Sequence, residues 1–218
     1  MAKNVVVNCG IRYETFPSNM GVLVVGVENK QQERVNIPAF LGEMPVFGIA
    51  AHVFENMESL TCVYIEHSPN AFHIGQSAFK NCKNLNYFQC KAATTCFMSE
   101  AFKGCSALTC ISTQYARLIG TNIFEGCSYN LNLCSHFEEI SDFAFQNSPF
   151  VKTVFFAPDV MLSANALYGI DAELFCFDGS AKFKVDATTQ IQIDITIKCP
   201  SNSNLTELIS YGYKLETF

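Results

Sequence analysis

The chain has 218 residues, of which 49% are hydrophobic and 16% are charged, and its formal net charge is −6. Typical soluble proteins are about a quarter charged, so this composition indicates a large apolar core beneath a rather neutral surface. The net negative charge and the lack of a Lys/Arg cluster argue against a basic surface that binds the phosphates of nucleic acid. The longest apolar runs fall far short of the ~20 residues that a membrane-spanning helix needs.

Residues 1–48 predict a β-rich N-terminal cap and lead-in. β-branched residues dominate four segments, which we interpret as strands: Val5–Val7, Ile11–Phe16, Val22–Val27 and Arg34–Ile37. A small antiparallel sheet of this kind would cover the exposed end of the elements that follow. Residues 38–48 contain two Pro and two Gly, which predicts irregular backbone. The first residues include no apolar stretch of signal-peptide length, so no export signal is expected in the sequence as numbered.

Residues 49–178 carry an apolar column that recurs every 21 to 25 residues: Phe54, Phe79, Phe102, Phe124, Phe145 and Leu167. The residue two places after each of them is Asn or Gly: Asn56, Asn81, Gly104, Gly126, Asn147 and Gly169. Asn and Gly adopt the left-handed, positive-φ backbone conformation at the lowest free-energy cost. Each column residue is therefore expected near the end of a short helical turn, after which the chain reverses.

Further columns keep a fixed distance from this one. Five residues before it come Ile49, Ile74, Phe97, Ile119, Ile140 and Leu162, and three after it come Met57, Cys82, Cys105, Cys127, Ser148 and Ile170. Six after it come Leu60, Leu85, Leu108, Asn130, Val151 and Glu173, where Leu131 and Leu174 suggest a slip of one residue. A fixed-period apolar frame predicts a solenoid, because one repeat cannot bury its own apolar face and stacking buries it.

The predicted fold is an α/β solenoid of about six repeats, wound as a right-handed superhelix. Its short strands, which should form one parallel sheet opposite the helical turns, are expected near residues 61–65, 86–90, 109–113, 131–135, 153–156 and 174–177. Ser99, Thr121, Asp142 and Ser163 precede the helical turns and are candidate N-caps.

The frame resembles the BspA-like leucine-rich repeat family. The segment IGQSAFKNCKNLNYF, from Ile74 to Phe88, carries its apolar spacing, and VNIPAFLGEMPVFGIAAHVF, from Val35 to Phe54, is similar to the segment that leads into a first full repeat. The resemblance covers roughly residues 34–178. It implies a leucine-rich repeat fold and a surface or secreted adhesion role, in which the protein binds host matrix proteins or other cells.

Residues 179–218 lose the period and are interpreted as a degenerate repeat with a C-terminal cap. Gln190–Lys198 alternates apolar and polar residues, which predicts a half-buried strand. Asn204 and Glu207 have the spacing of a capping box, so a short helix is expected after Asn204 and a last edge strand within 213–218.

The eleven cysteines leave two readings open. Such a number is typical of an oxidised, secreted scaffold. Cys82, Cys105 and Cys127, however, occupy one column after the helical turns, and packed helices lie about 8–10 Å apart. Since that spacing exceeds the reach of a disulfide, we favour small buried thiols with weak S–H donors, which suits a reducing compartment.

Outward strand positions are the candidate binding residues, because solenoids bind through their extended sheet face. The candidates for partner binding are Tyr64, Tyr87, Gln89, Ser112, Phe155 and Phe177. Clustered exposed aromatic residues often mark a protein contact. The alternative for these aromatic residues is strand propensity or packing against a cap.

No constellation in the sequence predicts catalysis, a cofactor or a metal. The chain lacks a CxxC pair, a phosphate-cradling Gly loop and the common hydrolase motifs, and its four His are scattered through the frame. We therefore expect a non-catalytic protein-interaction module that acts in adhesion or host-surface binding. The alternative is an intracellular scaffold or effector of the same fold that binds a cytosolic partner.

Overall fold

A computed structural model of the chain describes residues 5–16, 20–128, 131–148, 151–163, 165–166, 172–177, 184–185, 196–199 and 214–217. Side chains are described up to residue 148, within those ranges, and again for 160–163 and 165–166. The described residues form strands and turns, and no helix occurs among them. The predicted stack of repeats with a parallel sheet is thus present, whereas the short helical turns predicted opposite that sheet do not occur among the described residues.

The strands predicted near the N-terminus are present. Strand β1 (Val5–Asn8), β2 (Ile11–Thr15) and β3 (Val22–Val27) form an antiparallel meander, and β4 (Arg34–Ile37) starts a separate ribbon. The expected irregular backbone in 38–48 was wrong, because β5 (Phe40–Leu41) and β6 (Met44–Ile49) form a hairpin there. Pro45 is tolerated because the bond that holds β6 to the lead-in comes from the next residue, whose N–H donates to the Ala39 carbonyl.

Two parallel ribbons run along the stack. The first contains β4, β7 (Cys62–Ser68), the N-terminal parts of β9 (Tyr87–Phe97), β10 (Cys110–Leu118), β11 (Asn132–Ile140) and β12 (Val151–Leu162), and finally β13 (Ala172–Phe177). The second contains β6, β8 (Phe72–Ile74), the C-terminal parts of β9 to β12, and β14 (Lys184–Val185). Register shifts inside β9, β10 and β11 mark the corner where the chain passes from one ribbon to the other.

The strands are therefore longer than predicted. The sequence frame stopped each strand after the first ribbon, yet the chain turns a corner and continues as a second parallel strand in the same coil. Two further strands, β15 (Thr196–Cys199) and β16 (Lys214–Thr217), pair in parallel in a separate sheet. The rest of the predicted strand at 190–198 and the helix expected after Asn204 lie outside the described residues.

The core confirms the apolar frame, with one column shifted. The five phenylalanines of the main column are at most 1% exposed: Phe54, Phe79, Phe102, Phe124 and Phe145. Leu131 is fully buried, so the predicted one-residue slip is confirmed there. The prediction that Ile119 belongs to the column five residues earlier was wrong. Leu118 pairs with Phe97 and is buried, while Ile119 is 37% exposed.

The turns that were predicted as helical are flat stacked turns. At residues 51–56, 76–81, 99–104, 121–126 and 142–147 the chain forms turns, which we call the turn stack. In the first three of these turns, the backbone N–H groups two before, at and two after the column residue donate to the next coil; the Phe54 N–H, for example, donates to the Ala78 carbonyl at 2.9 Å. In that coil His52 and Asn56, two residues before and two after Phe54, both have positive φ, which aligns these peptide groups along the stack. A helix would instead have used the same donors internally.

Side chains extend this pattern between coils. The predicted N-caps Ser99 and Asp142 accept hydrogen bonds from the Thr121 and Asn165 N–H groups of the following coil, at 3.2 and 2.7 Å. Asn81 donates through Nδ2 to Oδ1 of Asn56 at 2.9 Å. These residues therefore satisfy polar groups, as predicted for caps, but they do so between repeats and not within a helix.

Candidate functional site

The first ribbon presents an outward surface made of two rows of side chains. Strand register aligns Cys62, Tyr87, Cys110 and Asn132 in one row and Tyr64, Gln89, Ser112 and Cys134 in the other. We call these eight residues the outer face. The inward residues between the two rows, Val63, Phe88, Ile111 and Leu133, are at most 1% exposed. Period-two alternation thus fixes the outward direction of both rows.

The two tyrosines of the outer face are half-buried, where the sequence analysis expected exposed aromatic residues. Lys91 lies over the Tyr64 ring with Nζ 5.2 Å from its centroid, a cation–π contact. Burial raises the pKa of the Tyr87 hydroxyl, and the nearby thiols of Cys110 and Cys62 add to this effect. Both rings are therefore held against neighbouring side chains and offer an ordered apolar surface with a polar tip.

Gln89 and Ser112 lie beside these rings in the second row and are also half-buried. The eight residues of the outer face include no carboxylate and no Lys or Arg. Charged groups lie around it, where Arg117 Nε contacts Glu138 Oε2 at 3.0 Å and Lys91 covers Tyr64. Among these charged groups, Lys91 is the one in contact with the outer face, whose centre is neutral like the cores of protein interfaces.

Phe155 and Phe177 do not share a row. Phe155 pairs with His136 on one side and with Cys176 on the other, while Phe177 pairs with Phe156. The sequence frame had aligned Phe155 with Phe177, and the register differs from that alignment by one residue. Their side chains lie outside the described part of the structure. Their role in partner binding stays a prediction.

A column of three buried thiols, which we call the thiol ladder, runs behind the turn stack. Each Sγ donates to the main-chain carbonyl of the column phenylalanine one coil earlier: Cys82 to Phe54 at 3.0 Å, Cys105 to Phe79 at 3.0 Å and Cys127 to Phe102 at 3.2 Å. Burial raises the pKa of Cys82 and Cys127 to about 12 and raises that of Cys105 well above its ordinary value. The interpretation as buried S–H donors is confirmed.

The premise behind that interpretation was wrong. The sequence argument placed adjacent turns about 8–10 Å apart, as for packed helices. Direct N–H to carbonyl bonds of 2.7–3.1 Å between successive coils bring them to the spacing of hydrogen-bonded strands. The ladder thiols are free because each is oriented to a carbonyl, not because the coils are distant.

The described residues include no group of three or more His, Cys, Asp or Glu side chains that could hold a metal ion. Among those same residues there is also no helix with the length and apolar character to cross a bilayer. Sequence reasoning found both tyrosines and both rows of the outer face but missed Lys91. Its position two residues after Gln89 in an alternating strand was the available signal.

Comparison with known proteins places the repeats in a family. The BspA-type leucine-rich repeat region matches residues 46–171 in six copies, which is more than half of the chain. A search of curated proteins finds no match.

Two crystal structures of bacterial leucine-rich repeat proteins are among those similar to this chain. A leucine-rich repeat protein of T. pallidum is 18% identical with a TM-score of 0.55, and the match covers 98% of each chain. A leucine-rich repeat protein of Bacteroides ovatus is 16% identical with a TM-score of 0.46, over 91% of this chain and 60% of the other. With six matched repeat copies and a stacked parallel-ribbon structure, the chain belongs to the BspA-type leucine-rich repeat family.

Proposed function

We propose that this chain is a non-catalytic module that binds a partner protein through its outer face. The supporting observation is the neutral double row around Tyr64 and Tyr87, ordered from behind by buried apolar residues and in contact with Lys91. Tyrosine is enriched at the energetic centres of protein interfaces, whereas Lys and carboxylates are depleted there. Members of leucine-rich repeat families generally serve as binding modules, which agrees with this assignment. The neutral face and the net charge of −6 favour protein over nucleic acid as the partner.

We further propose that the partner is a matrix or cell-surface protein, so that the module acts in adhesion. Immobilised matrix proteins in a biolayer-interferometry panel test this with the whole chain. We expect at least one saturable interaction, which Tyr87→Ala weakens about tenfold or more, as for an interface residue worth over 1.4 kcal/mol. Lys83→Ala is the matched control, because Lys83 is exposed in the turn before β9 and belongs to neither row of the outer face. No binding to any panel member, or equal losses in both variants, would count against the proposal.

An intracellular scaffold or effector is a second candidate, favoured by one observation. All nine cysteines whose side chains are described are free thiols: Cys9, Cys62, Cys82, Cys90, Cys96, Cys105, Cys110, Cys127 and Cys134. Thiols of this number persist most readily in a reducing compartment. Thiol titration after unfolding of natively produced protein separates the two candidates. Nearly eleven reactive thiols would support the intracellular role, and few would support export.

The organisation proposed from the sequence also extends beyond the described residues. We infer that residues 1–48 act as the N-terminal cap, 49–178 as the repeats and 179–218 as the C-terminal cap. We also infer that the coils wind right-handedly, because parallel strands joined by crossovers in one sheet almost always do so. Removal of residues 1–48 checks the first inference, since loss of a cap exposes the apolar end of the stack and should lower the urea concentration at which the chain unfolds.

A further inference from the structure

Two thiols of the outer face lie on adjacent strands as diagonal neighbours. Cys110 on β10 pairs with Asn132 on β11, and Ser112 pairs with Cys134, so Cys134 lies two residues further along the partner strand. Cys110 is half-buried and Cys134 is exposed, and both belong to the outward rows. Each of the two thiols is thus reachable from solvent on the same side of the sheet.

The separation of the two residues suits a bridging ion better than a disulfide. With a strand spacing of about 4.8 Å and a rise of about 3.3 Å per residue, the diagonal Cα atoms are about 8 Å apart. A disulfide needs about 4.4–6.8 Å between Cα atoms. One metal atom between the sulfurs, with metal–sulfur bonds of about 2.3 Å, lengthens the reach by more than 2 Å. A linear sulfur–metal–sulfur unit therefore spans this pair with the strands in place.

We propose that Cys110 and Cys134 bind one soft monovalent metal ion of the Cu(I) class between their sulfur atoms. Thiolates select soft ions such as Cu(I), which accept two ligands. On binding, one Cu(I) forms two Cu–S bonds, both thiols lose their protons to solvent, and the site carries a net charge of −1. No electron is transferred and no third protein ligand is required.

The surroundings of the pair are compatible with this change in charge. Tyr87 and Lys91 on β9, Cys62 on β7 and His136 on β11 are the titratable groups around it. No carboxylate belongs to the outer face, so no negative side chain of that face opposes the new charge. Burial and the neighbouring Cys134 raise the pKa of the Cys110 thiol to about 11, so this thiol stays protonated at neutral pH until an ion displaces its proton.

The inference does not depend on partner binding and is tested on the whole chain without a partner. Anaerobic titration with the Cu(I) complex of bicinchoninate, followed by native mass spectrometry, gives the affinity and the number of ions bound. We expect one ion that Cys110→Ser and Cys134→Ser each weaken by at least tenfold. Cys62→Ser is the matched control, because it removes a thiol from the same row two strands away from Cys110 and should change nothing.

The pH dependence gives a second readout that folding defects cannot imitate. Release of two protons predicts an affinity that rises about 100-fold per pH unit between pH 6 and 7, where ordinary thiols are protonated. Attachment to a single thiol predicts about tenfold. Circular dichroism checks that each variant keeps the fold. A tenfold slope, unchanged uptake in Cys134→Ser, or an equal loss in Cys62→Ser would overturn the proposal.

Discussion

Truncation of Phe102 should remove the best-packed ring of the stack. The side chain is fully buried and lies in the middle of the described repeats. Its ring is stacked on Phe79 at a centroid distance of 5.3 Å and on Phe124 at 6.2 Å, and it meets Phe88 edge-on at 5.1 Å. A fourth ring, that of Phe97, lies tilted against it at 5.5 Å. Phe102→Ala therefore removes four aromatic contacts and leaves a cavity between three coils.

The cost is expected at the upper end of the range for this substitution. A buried Phe→Ala change costs about 3–5 kcal/mol, and aromatic pairs contribute about 0.5–1.5 kcal/mol beyond the area they bury. Backbone hydrogen bonds link each coil to the next, which limits collapse of the cavity. We therefore expect about 4–5 kcal/mol for Phe102→Ala and under about 2 kcal/mol for Phe102→Leu, which keeps most of the volume.

Urea unfolding followed by circular dichroism measures both variants. Phe16→Ala serves as the control, because Phe16 is exposed and contacts only one described ring, that of Phe47, at 6.2 Å. In a repeat protein a lesion in mid-stack also weakens coupling between the two halves. A lower m-value in Phe102→Ala would report that effect. A loss below about 2 kcal/mol with an unchanged m-value would refute the account of the stacked column.

Three further predictions follow from single positions. Gly104→Ala should destabilise far more than Gly42→Ala in urea unfolding, because both have positive φ but only the Cβ at Gly104 would meet another atom, Asn81 Oδ1 at 2.5 Å. The thiols of the ladder have raised pKa values in the folded chain, so the folded chain keeps protons that the unfolded chain loses at alkaline pH. The free energy of unfolding should therefore fall as the pH rises. The ladder's contribution to stability should then be complete below about pH 8.5 and fall towards pH 12 by about 1.4 kcal/mol per thiol per pH unit, and Cys105→Ala should remove one thiol's share of that slope. Glu100 has its pKa lowered chiefly by Lys80, so its contribution should be lost as the pH falls below 4.5, and the acid melting curve of Glu100→Gln should be flatter.

The apolar frame was predictable because burial acts on each repeat in the same way. Phe79 and Phe102 could be assigned to the core from spacing alone, and Asn81 and Gly104 to positive φ, since few residue types suit that backbone region. The turns were misjudged for a physical reason. A helix and a stacked turn both end at a left-handed residue, and only donors shared with the next coil distinguish them. Those donors are main-chain N–H groups, which every residue except proline carries, so the order of side chains does not indicate which acceptor they bind.

The second ribbon was also missed, although its inward column was already in the frame. Ile74 and Phe97 were recognised as periodic apolar residues, but they pair directly as parallel strand neighbours. A segment of three residues such as β8 is too short to show a period of two. The same limit caused Ile119 to be chosen over Leu118, because two adjacent apolar residues leave the register undecided until a neighbouring strand fixes it.

The separation of inward and outward positions explains why the family is recognisable while the binding partner is not. Inward residues such as Phe88 and Ile111 are constrained by the coils above and below, so every repeat must supply nearly the same chemistry. Tyr87 and Cys110, one position away along the same strands, meet solvent on the other side of the sheet. Substitution there changes little of the stacking free energy, so these positions are free to be selected for contacts outside the molecule. Function in this fold is therefore expected to lie in the residues that the repeat does not determine.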